Sequence, residues 1–252
     1  MLDDCVRRGI QLHHPAEVLS VSTDVRGELS SVRIVDNNTS TETDIPCTRV
    51  IVAAGAWSGR VFKGLFPSSN LDLAISSLAG HSLVVRSPRW TPDADVTSCQ
   101  ALFAEGDSGK YGFSPEIVSR LRGDLYIAGL NSSTIALPKL PGDRQISASS
   151  ISQLTKVARA LMGPSSGEDD LEVTRQGLCF RPVTPRGLPI ISRIADKHLG
   201  GMATRPDADG GVYVATGHGP WGISLSLGTG KVLAEMVQGR PLSADVSSLS
   251  FP

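Results

Sequence analysis

Two short stretches hold most of the residues able to do chemistry. Between Thr216 and Lys231 the chain reads TGHGPWGISLSLGTGK, which sets Gly217, Gly219 and Gly222 where an extended run turns into a helical one. Glycine removes side-chain bulk at such a turn, and the first N–H groups of a helix have no partner within it, so an electronegative ligand atom can be received there. The same glycines also serve a tight connection with no ligand, and an isolated glycine motif does not separate the two readings. His218 can donate to a ligand or titrate near neutral pH, or it can simply orient the loop. Trp221 can close a pocket or pack in a core. Gly228 and Gly230 each cost about 1 kcal/mol relative to alanine inside a helix. Close approach of a backbone or a flat cofactor would offset that cost, and a local kink explains the two glycines equally well.

The second stretch is CFRPVTP, residues 179–185, where Arg181 sits between Phe180 and Pro182. A guanidinium in this apolar, conformationally restricted setting can form a bidentate pair with a substrate carboxylate. A salt bridge to one of the protein's own acids is the alternative. The chain carries no GxSxG, HExxH or GxxxxGK[ST] motif and no CxxC pair. Cys5, Cys47, Cys99 and Cys179 are widely spaced and read as reduced thiols, and His13 and His14 point opposite ways if extended, so no metal site is expected.

The elements that position these residues follow from periodicity. Residues 1–8 read as the end of a helix stopped by Gly9, with an extended segment beginning at Ile10. VLSV, the alternating LSSVRIV at 29–35, and a polar strand ending near Pro46 form an antiparallel meander with one solvated face. RVIVAAG at 49–55 is nearly continuously apolar, which predicts a strand buried on both faces, followed by a short helix in 56–65. Segments 81–87, 99–104 and 124–130 belong to a second sheet. Residues 146–163 carry Ile151, Leu154, Val157, Ala158 and Leu161 at close to helical spacing, and Gly163-Pro164 stops the helix. GVYVATG at 211–217 is the second strand ending in glycine. The helix after it, about 222–238, sets Ile223, Leu227, Leu233 and Val237 on or near one face, with Gly239 as its cap. Two strand-glycine units bracketing a region of different texture suggest an α/β nucleotide-binding core with an inserted β-rich domain.

Composition narrows the partners. With 252 residues, the chain is long enough for one large or two modest domains. Lys+Arg 24 against Asp+Glu 25 gives no basic excess, so nucleic acid and anionic membranes are not the default partners. No apolar run reaches the roughly 18 residues of a membrane span, and no leader pattern opens the chain, so a cytoplasmic protein without a transmembrane segment is expected.

Three separated motifs then coincide in order: VIVAAGAWS at 50–58, GLCFRPVTPRGLPII at 177–191 and GVYVATGHGPWGISLSLGTGKVLAEMV at 211–237. Together they resemble the FAD-dependent oxidoreductases of the D-amino-acid oxidase, glycine oxidase and sarcosine oxidase superfamily, and among them the fungal oxidoreductase-like proteins associated with endosomal transport. The resemblance runs over essentially the whole chain. It implies an α/β fold, a truncated FAD/NAD(P)-binding Rossmann-like domain with an inserted antiparallel β-rich substrate domain. The expected boundaries are 1–75 with 176–252 for the FAD-binding type and 76–175 for the substrate type. It implies FAD as cofactor, with Val18 at the adenine, Ala53, Ala54, Gly55 and Trp57 along the dinucleotide, and Gly217, His218, Gly219, Pro220, Trp221, Gly222 and Ile223 beside the isoalloxazine. The substrate would be a small amine or amino acid, with Arg181 on its carboxylate and His218 and Trp221 on the substrate side; no catalytic residue is assigned. The implied chemistry is oxidation of a C–N bond to an imine that water hydrolyses.

Two departures accompany the resemblance. Sarcosine-oxidase relatives carry an oxygen-activating lysine after GHG, where this chain has Pro220-Trp221-Gly222 and no lysine until Lys231. The amino-terminal βαβ unit with its GxGxxG turn, which receives the FAD pyrophosphate, is missing from these residues, so the chain reads as the carboxy-terminal part of such an enzyme. The expectation is therefore an FAD-dependent oxidoreductase, inactive in this form if the missing unit is essential. The alternatives are a non-catalytic trafficking scaffold with an endosomal partner and a small-acid binding module without flavin.

Overall fold

The computed structural model describes residues 1–90, 99–104, 111–120, 123–164 and 169–251. The chain divides into two compact units, one made of Met1–Ser76 and Pro182–Pro252, the other of Ser77–Arg181. The first segment opens with a short helix, α1 (Leu2–Arg7), after which Gly9 turns the backbone at φ 85°. A meander of three antiparallel strands follows: β1 (Ala16–Thr23), β2 (Leu29–Asp36) and β3 (Glu42–Pro46). Its turns are built by aspartates, each side chain accepting backbone N–H groups just ahead: Asp24 from Arg26 and Glu28, Asp36 from Asn38 and Thr39. Strand structure starts at Ala16 rather than Ile10, directly after Pro15, which has no N–H to give a ladder.

β4 (Arg49–Val52) runs into Ala53, Ala54 and Gly55, and α2 (Ser58–Leu65) returns Phe62 and Leu65 to the core. The expectation that β4 is buried on both faces fails. Val52 is buried, but Ile51, pointing the other way, is 46% exposed. β4 is an edge strand, and its Ile51 face is left about half exposed.

The second unit is a five-stranded sheet of β5 (Ser76–Arg86), β6 (Ala101–Phe103), β7 (Glu116–Ser119), β8 (Leu125–Ser132) and β9 (Glu172–Val183), ordered β6-β7-β8-β5-β9. One face is covered by α3 (Ala148–Met162), whose Ile151, Leu154 and Ala158 pack on Leu83, Val85 and Ile127. Sequence reasoning missed β7 and β9. β9 lies at the sheet edge, where Pro182 is tolerated and only Leu178 is buried, so it lacks the alternation that marks a half-buried strand.

A buried histidine ties α3 to this sheet. His81 on β5 is 2% exposed, and its Nε2 accepts the backbone N–H of Ser147, the N-cap of α3, at 3.2 Å. That bond requires the neutral ring, and burial lowers the pKa of His81 from its ordinary 6.5. As pH falls through 6.5 the unfolded chain takes up the proton before the folded one, so stability is complete above that value and declines below it. Urea unfolding followed from about pH 7.5 to about pH 5.5 should show this decline, and His81→Gln should flatten it. An equally steep decline in the variant would show that other groups cause it.

The chain then re-enters the first unit through β10 (Ile190–Ile194), β11 (Gly211–Thr216) and α4 (Gly222–Val237). β10 was not anticipated. β11 is fully buried between an antiparallel β10 and a parallel β4, pairing Val212 with Val50 and Val214 with Val52. Val52, Val212, Val214 and Ile194 pack against Phe62, Leu65, Phe66 and Leu29 on one face. Tyr213, Ala215 and Ile191 meet Leu233, Met236 and Val237 of α4 on the other. Gly239, at φ 64°, follows the helix end. The proposed apolar stripe of α4 is only half used: Leu233 is buried, whereas Ile223 is 94% and Leu227 69% exposed. Periodicity specified an apolar face, but only the second half of α4 lies over β10 and β11.

Candidate functional site

Parallel pairing sends β4 and β11 out of the sheet at the same end, the end at which ligands bind in open α/β sheets. Beyond β4 the chain passes through Ala53 and Ala54 to Gly55 at φ 55°, then Trp57, whose N–H donates to Ala54 O at 3.0 Å. Beyond β11 it passes through Gly217 at φ 81°, His218, and Gly219 at φ 55°, into a single 3-10 turn, Gly219–Trp221, that runs straight into α4. Both bends need left-handed backbone, which glycine adopts without penalty. The two are tied together, since the Thr216 hydroxyl donates to the carbonyl of Gly55 at 2.8 Å.

A side chain added at Gly55 or Gly219 would meet no atom within 4 Å, so this end of the sheet opens on free space. Gly217 is different. A Cβ there would lie 2.5 Å from the Thr184 methyl. Gly228 and Gly230 likewise have nothing within 4 Å, so no backbone of the described chain approaches the helix there. Trp221 is 64% exposed and does not pack in a core. No side chain caps the start of α4, and the hydroxyls of Ser224 and Ser226 turn back to the carbonyls of Trp221 and Ile223. The start of α4 thus carries no side-chain cap, and it is preceded only by the 3-10 turn.

His218 is half-buried, and its Nε2 shares a hydrogen bond with the Thr229 hydroxyl at 3.0 Å, clamping the turn to the third turn of α4. Burial lowers its pKa, which keeps the ring neutral near pH 7. Pro220 sits within the 3-10 turn, where its missing N–H costs nothing. Val18 belongs to a different sheet, the meander, with its side chain partly exposed next to an irregularity between Val18 and Ser20. Arg181 belongs to the other unit. It is half-buried near the end of β9, forms no ion pair among the described residues, and donates from Nη1 to Asn131 Oδ1 at 2.6 Å.

The ties through Thr216, Thr229 and Asn131 were not foreseen from sequence. Only Asn131 had a signal available: Gly80, a glycine within a strand, which marks close approach across it. The four cysteines are free, no group of three His, Cys, Asp or Glu among the described residues can hold a metal ion, and no helix is long and apolar enough to cross a membrane.

A family model described as FAD dependent oxidoreductase matches residues 1–236. The chain belongs to that family. Among its relatives, the protein TDA3 of Saccharomyces cerevisiae, named as an oxidoreductase, is 27% identical over 207 residues, covering 80% of this chain and 34% of that protein. Glycine oxidase of Geobacillus kaustophilus is 27% identical over 245 residues, 96% of this chain and 52% of the enzyme. The crystal structure of that glycine oxidase superposes with a TM-score of 0.63 at 21% identity, over 93% of this chain and 51% of the other. Iminodiacetate oxidase from Chelativorans gives 0.65 at 16% identity, over 99% and 56%. These structures share the fold of this chain. The chain spans about a third to a half of the curated relatives it matches.

Proposed function

We propose that this chain forms the carboxy-terminal part of an FAD-dependent oxidoreductase acting on a small amine or amino acid. Support comes chiefly from one arrangement: the ends of parallel β4 and β11, bent by Gly55, Gly217 and Gly219, opening on free space beside the uncapped start of α4. A flat cofactor fits such a place, because no side chain stands at Gly55 or Gly219 and because the exposed Ile223 and Trp221 offer apolar surface. Ala53, Ala54, Gly55 and Trp57 would border the dinucleotide and residues 217–223 the isoalloxazine, with Val18 toward the adenine. FAD, when bound, supplies the two-electron acceptor for oxidation of the C–N bond. The N-terminal end of α4 would set its positive partial charge beside the bound group, and neutral His218 holds the turn in place through Thr229.

In this proposal residues 1–75 with 176–252 are the FAD-binding type and 76–175 the substrate type, with Arg181 as the anchor of a carboxylate. The relatives named glycine oxidase and D-amino acid dehydrogenase support an amino-acid substrate. A second reading, a trafficking scaffold with an endosomal partner that keeps the fold without turnover, is favoured by Pro220-Trp221-Gly222 in the place of an oxygen-activating lysine.

Titration with FAD tests the proposal on the chain alone and on a version carrying a βαβ nucleotide-binding unit ahead of Met1, read by flavin absorbance and tryptophan emission. The joined protein should retain flavin through gel filtration, and Gly219→Val should weaken binding by about tenfold, about 1.4 kcal/mol. Retention unaltered by Gly219→Val, or no retention by either form, would overturn the assignment of this turn.

A further inference from the structure

A glycine inside a strand removes the side chain that would otherwise separate its two cross-strand neighbours. Gly80 does so in β5, the strand between β8 and β9. On one side Gly80 pairs with Asn131 of β8. On the other, β9 brings Cys179 Sγ to 3.7 Å from the Gly80 carbonyl, and Arg181, two residues further along, shares the face of Cys179. Arg181 Nη1 donates to Asn131 Oδ1 at 2.6 Å across the gap. A Cβ on Gly80 would lie 2.9 Å from that oxygen and 3.1 Å from that nitrogen. Side chains from two non-adjacent strands therefore meet in the space that any residue other than glycine would fill.

The chemistry of the partner matters as much as its position. An amide oxygen fixes one N–H of a guanidinium while leaving its charge intact, whereas a carboxylate would fix it and neutralise it. Arg181 has five N–H donors in a planar fork, of which this bond uses one, and no acidic side chain of the described residues pairs with it. Among the described residues its charge is uncompensated, and its plane is oriented. Asn131 itself is exposed and contributes nothing to the core, so the contact is not a by-product of packing.

We infer that Asn131 is a positioning residue that holds the Arg181 guanidinium, through the gap at Gly80, as an anchor for a single carboxylate group. The inference rests on the carboxylate role proposed above for Arg181 and deepens it by naming what orients the guanidinium and why that partner is neutral. Immobilising the fork before the ligand arrives lowers the entropic cost of forming a two-point pair.

The test uses the full 252-residue chain, labelled with nitrogen-15, and acetate as probe, with chloride as the control for general anion effects. The Nε–Hε signal of Arg181, assigned by its loss in Arg181→Ala, should shift saturably with acetate and not with chloride. Asn131→Ala should weaken acetate binding about tenfold and speed rotation of the guanidinium, because one donor is released. Asn131→Asp is the decisive variant. It keeps the shape and the hydrogen bond but neutralises the arginine, so saturable acetate binding should be lost while the melting temperature stays the same or rises. A purely structural role for Asn131 predicts the opposite, with Asp serving as well as Asn. If the Arg181 signal responds to acetate in wild type but Asn131→Ala and Asn131→Asp bind as wild type does, the positioning role is wrong and the carboxylate reading of Arg181 survives. If wild-type Arg181 does not respond to acetate at all, the carboxylate reading fails and this inference fails with it.

Discussion

Replacing Gly217 with alanine should cost the unit that contains it about 2–3 kcal/mol of stability. Two separable causes contribute. The backbone stands at φ 81°, where a residue with a Cβ is disfavoured by about 1 kcal/mol. The new methyl would also lie 2.5 Å from Thr184 Cγ2, with Ile190 N and Pro189 Cα each 3.6 Å away, a clash of the kind that costs about 1–3 kcal/mol in packed interiors. The second cause can be removed by itself. Thr184→Ser deletes the obstructing methyl while keeping the hydroxyl that donates to Leu188 O at 2.6 Å. Urea unfolding of the four proteins of this double-mutant cycle should show Gly217→Ala rescued by roughly half in the Thr184→Ser background, the remainder being backbone strain. Strict additivity would mean that the methyl is not the obstacle and that the turn relaxes in some other direction.

A larger effect is expected at Phe62, the residue of α2 that carries its packing. Its side chain is 1% exposed, its ring centroid is 5.0 Å from that of Phe66, and it belongs to the cluster joining α2 to Val52 of β4 and to Val212 and Val214 of β11. Phe62→Ala should lose about 3–5 kcal/mol, from the area no longer removed from water and the cavity left behind, and Phe62→Leu considerably less. Because β4 and β11 hold the Gly55 and Gly217 bends, flavin retention by the joined protein described above should fall in parallel. Intrinsic fluorescence during urea unfolding measures the first effect and flavin absorbance after gel filtration the second. A fully stable Phe62→Ala protein would show that α2 is not the element bracing the two strands.

Both predictions concern positions whose importance is only partly visible in the one-dimensional pattern. The glycines after GVYVAT and after VIVAA are conspicuous as letters, and the meander, α3 and the run 211–216 follow from alternation, helical spacing and β-branched content. The three ordered motifs are sufficient to read the FAD dependent oxidoreductase family, which the match over residues 1–236 establishes. β7 and β9 escape because they bury few side chains and leave little periodicity to detect, and β10 because a strand of five residues with burial on both faces shows no alternation. Of the candidate site, the left-handed bends at Gly55, Gly217 and Gly219 are legible as glycines, while the bonds from Thr216 to Gly55 and from His218 to Thr229 are not, because they join residues that nothing in the chain marks as neighbours.

The sequence by itself determined which stretches are apolar enough to form strands and helices, where the backbone can bend the wrong way, and which family owns that order of motifs, because each of these is a property of residue types in local succession. Only the tertiary structure decided that β4 lies parallel to β11 at a sheet edge, that half of α4 is left uncovered, and that Arg181 is met by an amide instead of an acid. Those outcomes depend on which surfaces come into contact across distances of tens of residues. A hydrophobic pattern states that a face can be buried, and only the folded chain supplies, or fails to supply, the partner that buries it.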